Sequence, residues 1–163
     1  MKKILHPAPM LAAGLILGTV SRLLDIFTQN LGNIFSQMAI WILIGTVIAI
    51  YSDTPKRAMA NVFPLCAGML ATYYATAAIT HGVYHWSFIV GWSVFALCAP
   101  LLAYCTWMTK ERGWAPKLLA AGIVAVSVLS SVVLFDRLRW YDYAIDAALV
   151  YFLFFAKVER GQK

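Results

Sequence analysis

The sequence predicts an all-α integral membrane protein, a compact single-domain bundle of six transmembrane helices with the N and C termini cytoplasmic. Three observations predict it. The 163 residues are 62% hydrophobic and 12% charged, whereas a soluble domain carries about 25% charged residues. The mean hydropathy is +0.76, and apolar residues come in continuous runs such as Ile40–Ile50 and Leu118–Val133; a membrane barrel would need ~10-residue strands of alternating polarity. The cations are also unevenly placed. With six spans, Lys2, Lys3, Lys56, Arg57, Lys110, Arg112, Lys117, Lys157, Arg160 and Lys163 share one side, and Arg22, Arg137 and Arg139 fall toward the other. This is the positive-inside asymmetry of a bacterial-type inner or plasma membrane. It also accounts for the net charge of +6 without nucleic acid.

The first span is placed at Pro9–Phe27. Lys2 and Lys3 followed by an apolar run resemble a signal peptide, but no clean cleavage site precedes Arg22, so the run reads as an uncleaved helix. Gly14-x-x-x-Gly18, beside Ala12 and Ala13, allows close helix approach. That face packs internally against the second or sixth span, or docks another subunit or a second copy. Thr28–Gln37 is an uncharged, amide-rich outer loop with Gly32 as a pivot, either a solvated connection or a lid. The second span, Gln37–Tyr51, is short, and flanking aromatics or tilt must compensate.

Asp53-Thr54-Pro55 offers a cap followed by Pro at an early helical position, leading to the third span, Val62–Thr80. Pro64 there, and Pro100 in the fourth span at Ser87–Trp107, each remove a backbone donor and can kink the helix. Lys110-Glu111-Arg112-Gly113 ends the fourth span with basic residues and Gly. The fifth and sixth spans are Lys117–Phe135 and Tyr143–Val158. Trp86, Trp140, Tyr141 and Tyr143 form an outer aromatic belt, and Tyr51, Trp107 and Trp114 an inner one. Cys66, Cys98 and Cys105 lie within spans, without a C-x-x-C pair, and read as packing residues.

Polar residues that topology does not explain collect toward the outer end. Arg22 and Asp25 share a face of the first helix, and Asp142 and Asp146 share a face of the last. Counting residues at 1.5 Å each puts Arg22 and Asp146 at similar depth. A charge in low dielectric demands a partner, so Arg22 is expected to pair with Asp146, Asp25 or both. The pair is a structural bridge, a ligand-binding or ion-coupling site, or, if Arg22 snorkels to the headgroups, neither. Thr72, Thr76 and Thr80 recur every four residues with Tyr73 and Tyr74 beside them. This polar stripe either bonds its own helix backbone or lines a cavity that Ser127, Ser130 and Ser131 face. Arg137 and Arg139 either bridge Asp136 and Asp142 or capture an anionic or aromatic solute. The candidate ligand-binding set is therefore Arg22, Asp25, Asp146, Asp142, Tyr73, Thr76, Arg137 and Arg139.

His81 and His85 are weak metal candidates, because Gly82 and the loop position spoil helical ligand spacing and no third ligand is fixed. No cofactor motif is present, and H-E-x-x-H, G-x-S-x-G and nucleotide-binding loops are missing. His85 with Ser87 is the one local base–nucleophile pairing. The reading favoured is a solute-binding or transport component with a polar pocket open to the outside. A structural, regulatory or accessory membrane protein and an intramembrane enzyme are the alternatives.

In layout, the chain resembles the substrate-capturing subunits of energy-coupling-factor vitamin transporters: six helices, both ends inside, a small-residue first helix with Gly14 and Gly18, and an outward pocket. The resemblance implies a vitamin-like ligand, a transmembrane coupling protein and two ATPases as partners. It assigns no binding residue.

Overall fold

The computed structural model describes residues 5–35, 37–82 and 85–158. Lys2, Lys3, Ser36, Val83, Tyr84, Glu159, Arg160 and Lys163 lie outside the described residues. Within them the elements are all helical: α1 (Pro7–Phe27), α2 (Gln29–Phe35), α3 (Met38–Tyr51), α4 (Pro55–Ile79), α5 (Trp86–Met108), α6 (Trp114–Phe135) and α7 (Trp140–Val150). The last runs directly into a π-helical turn, Tyr151–Phe155. Four helices, α1, α4, α5 and α6, are long and apolar enough to cross a membrane. Side chains such as Ile79, Trp86, Leu97, Val133 and Phe155 stand exposed on the bundle; so much apolar surface is consistent with a membrane protein. Helices occupy all six expected intervals, but α3 has 14 residues and α7 has 11. At 1.5 Å per residue α3 is about 21 Å long, short of a hydrocarbon layer of roughly 30 Å.

Local chemistry sets the boundaries. Pro7 and Pro55 occupy first-turn positions of α1 and α4, where the missing N–H costs nothing. Thr54 caps α4, its hydroxyl accepting from Arg57 N–H at 3.2 Å. α4 therefore begins seven residues before the apolar run that marked the third span, because a cap rather than hydropathy starts a helix. Both Pro64 and Pro100 sit inside helices that continue through them. The amide-rich connection is not an extended loop: α2 occupies most of it and packs on α1 and α3.

The tightest contact joins α1 to α4, and the two run parallel. A Cβ at Gly14 would collide with the Leu65 carbonyl, and one at Gly18 with the Met69 carbonyl and the Thr72 hydroxyl. Gly68, from the α4 side, would meet Leu11 at 3.0 Å. Thr72 Oγ1 crosses the seam to donate to Leu15 O at 2.8 Å. The glycine face thus packs internally, as one expectation held, but its partner is the third span rather than the second or sixth. That face is filled by the α4 backbone.

α3 is the axis of the rest. Its Ile48 and Ala49 join a core with Met10, Val62, Leu65, Cys66, Ala96, Ala99 and Ala103 from α1, α4 and α5. Its Ile42 and Leu43 pack on a second core of Ala120, Leu149 and Leu153 from α6, α7 and the π-turn. Polar contacts tie the end remote from α2. Asn61 Nδ2 donates to Ser52 Oγ at 3.2 Å and to Leu5 O at 3.3 Å, and Trp107 Nε1 donates to Ser52 O at 2.9 Å. Lys110 Nζ donates to Leu153 O at 3.0 Å and Ala156 O at 2.8 Å, placing a cation on the carbonyl end of the last helix.

Gly18→Val should force α1 and α4 apart and destabilise the protein by about 1–3 kcal/mol or more, read as a lowered melting temperature in detergent. Thr72→Val, which loses one interhelical hydrogen bond, should cost about 0.6 kcal/mol.

Candidate functional site

Because α1 and α4 run parallel, their C-terminal ends arrive together at the α2 end of the bundle. Arg22 Nε donates to Thr80 Oγ1 at 3.5 Å, and Arg22 Nη1 stands 3.7 Å from Asp25 Oδ2. Tyr73 donates its phenolic proton to the same Asp25 oxygen at 2.6 Å. Two glycines close over the group. Gly82 lies so near Arg22 that a Cβ would strike the guanidinium, and a Cβ on Gly32 of α2 would come within 2.7 Å of Asp25 Oδ1. Gly32 is thus a close-approach residue rather than a pivot. The two charged side chains keep 16% and 20% of their exposure.

The two charges are unequally served. The carboxylate takes a short, strong bond from a phenol. Among the described residues the guanidinium, with five N–H donors in a rigid fork, has a hydrogen bond to Thr80 at the limit of length, a loose ion pair with Asp25 and an interaction with the Tyr73 hydroxyl. Its remaining donors suit a carboxylate or phosphate, which a fork binds through two parallel bonds. The threonine stripe is mostly spent on backbone. Thr72 and Thr80 hydroxyls donate to Gly68 O at 3.0 Å and Thr76 O at 2.8 Å. Thr76 itself enters through that carbonyl. Tyr74 stands edge-on to the Tyr73 ring, with centroids 5.4 Å apart, and also lines a groove of about 420 Å³ between α4 and α5 with Phe63, Leu70, Ala96 and Leu97 among others.

Of the two expected partners of Arg22, Asp25 is the one it meets; a pairing with Asp146 does not form among the described residues. α1 packs on α4 and α2, whereas α7 packs on α3 and α6. Residue counting measures depth along a helix and carries nothing about which helices are neighbours. Asp146 Oδ1 instead accepts from Ser127 Oγ on α6 at 2.6 Å. Asp142 lies one turn above it and is fully buried. Its Oδ2 accepts the Arg139 backbone N–H at 2.7 Å, capping α7, while Oδ1 has no hydrogen-bond partner among the described residues. Arg139 Nη1 donates to Tyr141 Oη at 2.6 Å, and Arg137 is exposed. Of the candidate residues, Arg22, Asp25 and Tyr73 meet at α1–α4, where Thr80 joins them, and Asp142, Asp146 and Arg139 lie at α6–α7, where Ser127 joins them.

Sequence reasoning missed two participants. Thr80 was read as part of a stripe rather than as the acceptor for Arg22, and Gly82 as a spoiler of histidine spacing rather than as the surface against which the guanidinium lies. Gln37, fully buried ahead of α3, has neither amide atom hydrogen-bonded among the described residues; its place in an amide-rich stretch was the available signal. His85 Nδ1 lies 2.6 Å from Ser87 Oγ and accepts from Ser87 N–H at 3.4 Å. That contact caps α5, and among the described residues no carboxylate orients the imidazole as a base requires. His81 has a positive φ of 50° at the end of α4. Among the described residues no three His, Cys, Asp or Glu side chains are grouped as a metal site.

The model of a family described as "Family of unknown function (DUF6518)" matches residues 1–162, and the chain belongs to that family. No curated protein and no solved structure matches it.

Tyr73→Phe keeps the ring and removes the donor to Asp25. It should lower stability by about 1.5–3 kcal/mol, measured by thermal melting. Thr76→Val, whose side chain serves no bond in this group, should stay within about 0.5 kcal/mol of the parent.

Proposed function

We propose that this member of DUF6518 is a multi-pass integral membrane protein that binds a small anionic solute, as a solute-binding or transport component. In this reading α1, α3, α4, α5, α6 and the α7–π-turn segment are six spans of a bacterial-type inner or plasma membrane. Both termini are cytoplasmic and the α2 end is extracytoplasmic. The excess of Lys and Arg at the opposite end supports that orientation. The two short segments are accommodated by tilt and local thinning.

The observation that carries the proposal is the imbalance at Arg22. A half-buried guanidinium near a bundle end, 3.5 Å from Thr80 and 3.7 Å from Asp25, has more directed donors than the hydrogen bonds it makes among the described residues. Asp25 fixes the arginine's position while its own charge is turned to Tyr73. A solute carboxylate or phosphate docks on the free edge of the fork. The described helices form a bundle small for a pathway with two gates. We therefore extend the proposal to a working partner or a second copy, as in transporters where a capturing subunit delivers cargo to a coupling protein. Energy from ATP would come from such a partner.

A second reading is a purely structural or regulatory membrane protein. It is favoured by the place of Arg22 on the tightest helix pair, where it ties α1 to Thr80 of α4.

Arg22→Gln separates the two. The purified protein is screened by thermal shift against amino acids, dicarboxylates, carboxylate vitamins and phosphorylated vitamins. A ligand that binds the native state raises the melting temperature. The proposed function expects at least one anionic compound to stabilise the parent and to lose that effect in Arg22→Gln, with the unliganded melting temperature little changed. The structural reading expects a lower unliganded melting temperature and no stabilising compound. A compound that stabilises parent and variant equally would overturn Arg22 as the binding group.

A further inference from the structure

We propose that the groove between α4 and α5 takes the alkyl chain of a single-chain carboxylate, a fatty acid, whose head docks on Arg22. The inference rests on the reading of Arg22 as an anion site and names the class of its ligand.

The groove is walled by α4 from Tyr74 to Phe63 and by α5 from Ser93 to Leu97. Its polar side chains, Tyr74 and Ser93, both stand at the end nearer α2, because α4 finishes at that end and α5 starts from it. Below them the walls are alanine, leucine and phenylalanine. Phe63 and Leu97 keep 42% and 69% of their exposure, so the groove opens sideways, onto surface that lipid covers in a membrane.

Size selects the chain. From Tyr74 back to Phe63 is about 16 Å along a helix, and one leaflet of a hydrocarbon core of roughly 30 Å is about 15 Å deep. Spread over that length, 420 Å³ leaves a cross-section of about 26 Å², which admits one extended hydrocarbon chain and not a pair. A solute of amino-acid or dicarboxylate size would leave the groove empty. Lipid tails are as apolar as these walls, so the chain gains van der Waals contact rather than hydrophobic burial. Discrimination therefore falls to the head.

What stands above the polar rim selects that head. The Arg22 guanidinium lies against Gly82, in the connection from α4 to α5. Gly82 donates its N–H to Ala77 O at 2.8 Å, and Ala77 is one turn beyond Tyr74 on the same face of α4. Thr80, 3.5 Å from Arg22 Nε, is about 9 Å past Tyr74 along the axis. The fork thus sits over the polar end of the groove, at the headgroup level if the groove spans one leaflet. Groove and charged group also share a wall. The Tyr74 ring meets the Tyr73 ring with centroids 5.4 Å apart, and Tyr73 bonds Asp25. With a carboxylate on the fork, the upper carbons cross the Tyr74 rim and the rest enter the groove. Arginine holds a carboxylate through two parallel N–H bonds, which a neutral alcohol of the same length forfeits.

The test is photolabelling of the full chain in phosphatidylcholine nanodiscs with stearate that carries a diazirine near its methyl end, mapped by mass spectrometry. Label is expected within residues 63–74 and 93–97. Unlabelled stearate should compete, and butyrate and stearyl alcohol should not. Ala67→Trp fills the groove from one wall and should abolish the labelling while leaving the Arg22 group intact. Arg22→Gln should weaken it about tenfold or more. Equal competition by stearyl alcohol, or full labelling in Arg22→Gln, would detach the groove from the arginine and overturn the inference. So would stronger competition by phosphatidylglycerol than by stearate, which would make the occupant a bilayer lipid. Label elsewhere, or none, would overturn it too. If short anions then still raise the melting temperature of the parent and not of Arg22→Gln, the anion site stands and only the chain is withdrawn; if they do not, both readings fall.

Discussion

The backbone contact between α1 and α4 is the constraint on which the rest of the molecule depends. Gly14 and Gly18 let the first helix lie directly on the carbonyls of Leu65 and Met69, and Gly68 admits it from the other side. Without a hydrophobic drive between helices in lipid, van der Waals contact and interhelical hydrogen bonds such as Thr72 to Leu15 hold such a pair. The same contact fixes the geometry of the candidate site. It sets α1 and α4 parallel and in register, so that a cation from one and a phenol and hydroxyl from the other meet at a single place.

The remaining helices divide into two halves hinged on α3. One stripe of α3 completes the α1–α4–α5 core, and another completes the α6–α7 core. A helix buried on so many sides is uniformly apolar, and α3 bears no charge. The polar atoms it does carry, in Thr46 and at its start in Gln37, are therefore conspicuous. Each half of the bundle has its own polar cluster toward the α2 end, one holding Arg22 with Asp25 and the other two aspartates with Arg139. Among the described residues the first has more donors than hydrogen bonds, while the second has an unpaired acceptor in Asp142.

Much of this was legible in the sequence. Continuous apolar runs marked the helical intervals because helix is the structure that satisfies its own backbone in lipid. Arg22, Asp25, Asp142 and Asp146 stood out because charge in such surroundings must be explained. What periodicity could not supply was azimuth and neighbourhood. Arg22 and Asp146 were placed at matching depth, yet they belong to different halves, because Gly14 and Gly18 choose α4 and nothing in the pattern names that partner. α2 was unreadable for another reason. Its residues Gln29 to Phe35 are amides, a glycine and scattered apolar groups, which taken alone favour a turn, and it is helical through packing on α1. The early start of α4 was written in Thr54 and Pro55 and was obscured by the cations that follow.

The parallel pairing of α1 and α4 also bears on how the molecule is made. Leu15 and Thr72 are 57 residues apart. At a synthesis rate of about 5–20 residues per second, the first helix waits roughly 3 to 11 s before its glycine seam meets the backbone that covers it. During that interval a bare notch and a poorly matched arginine are on offer to whatever else is nearby, so the nascent chain is at its most vulnerable before its fourth helix has emerged.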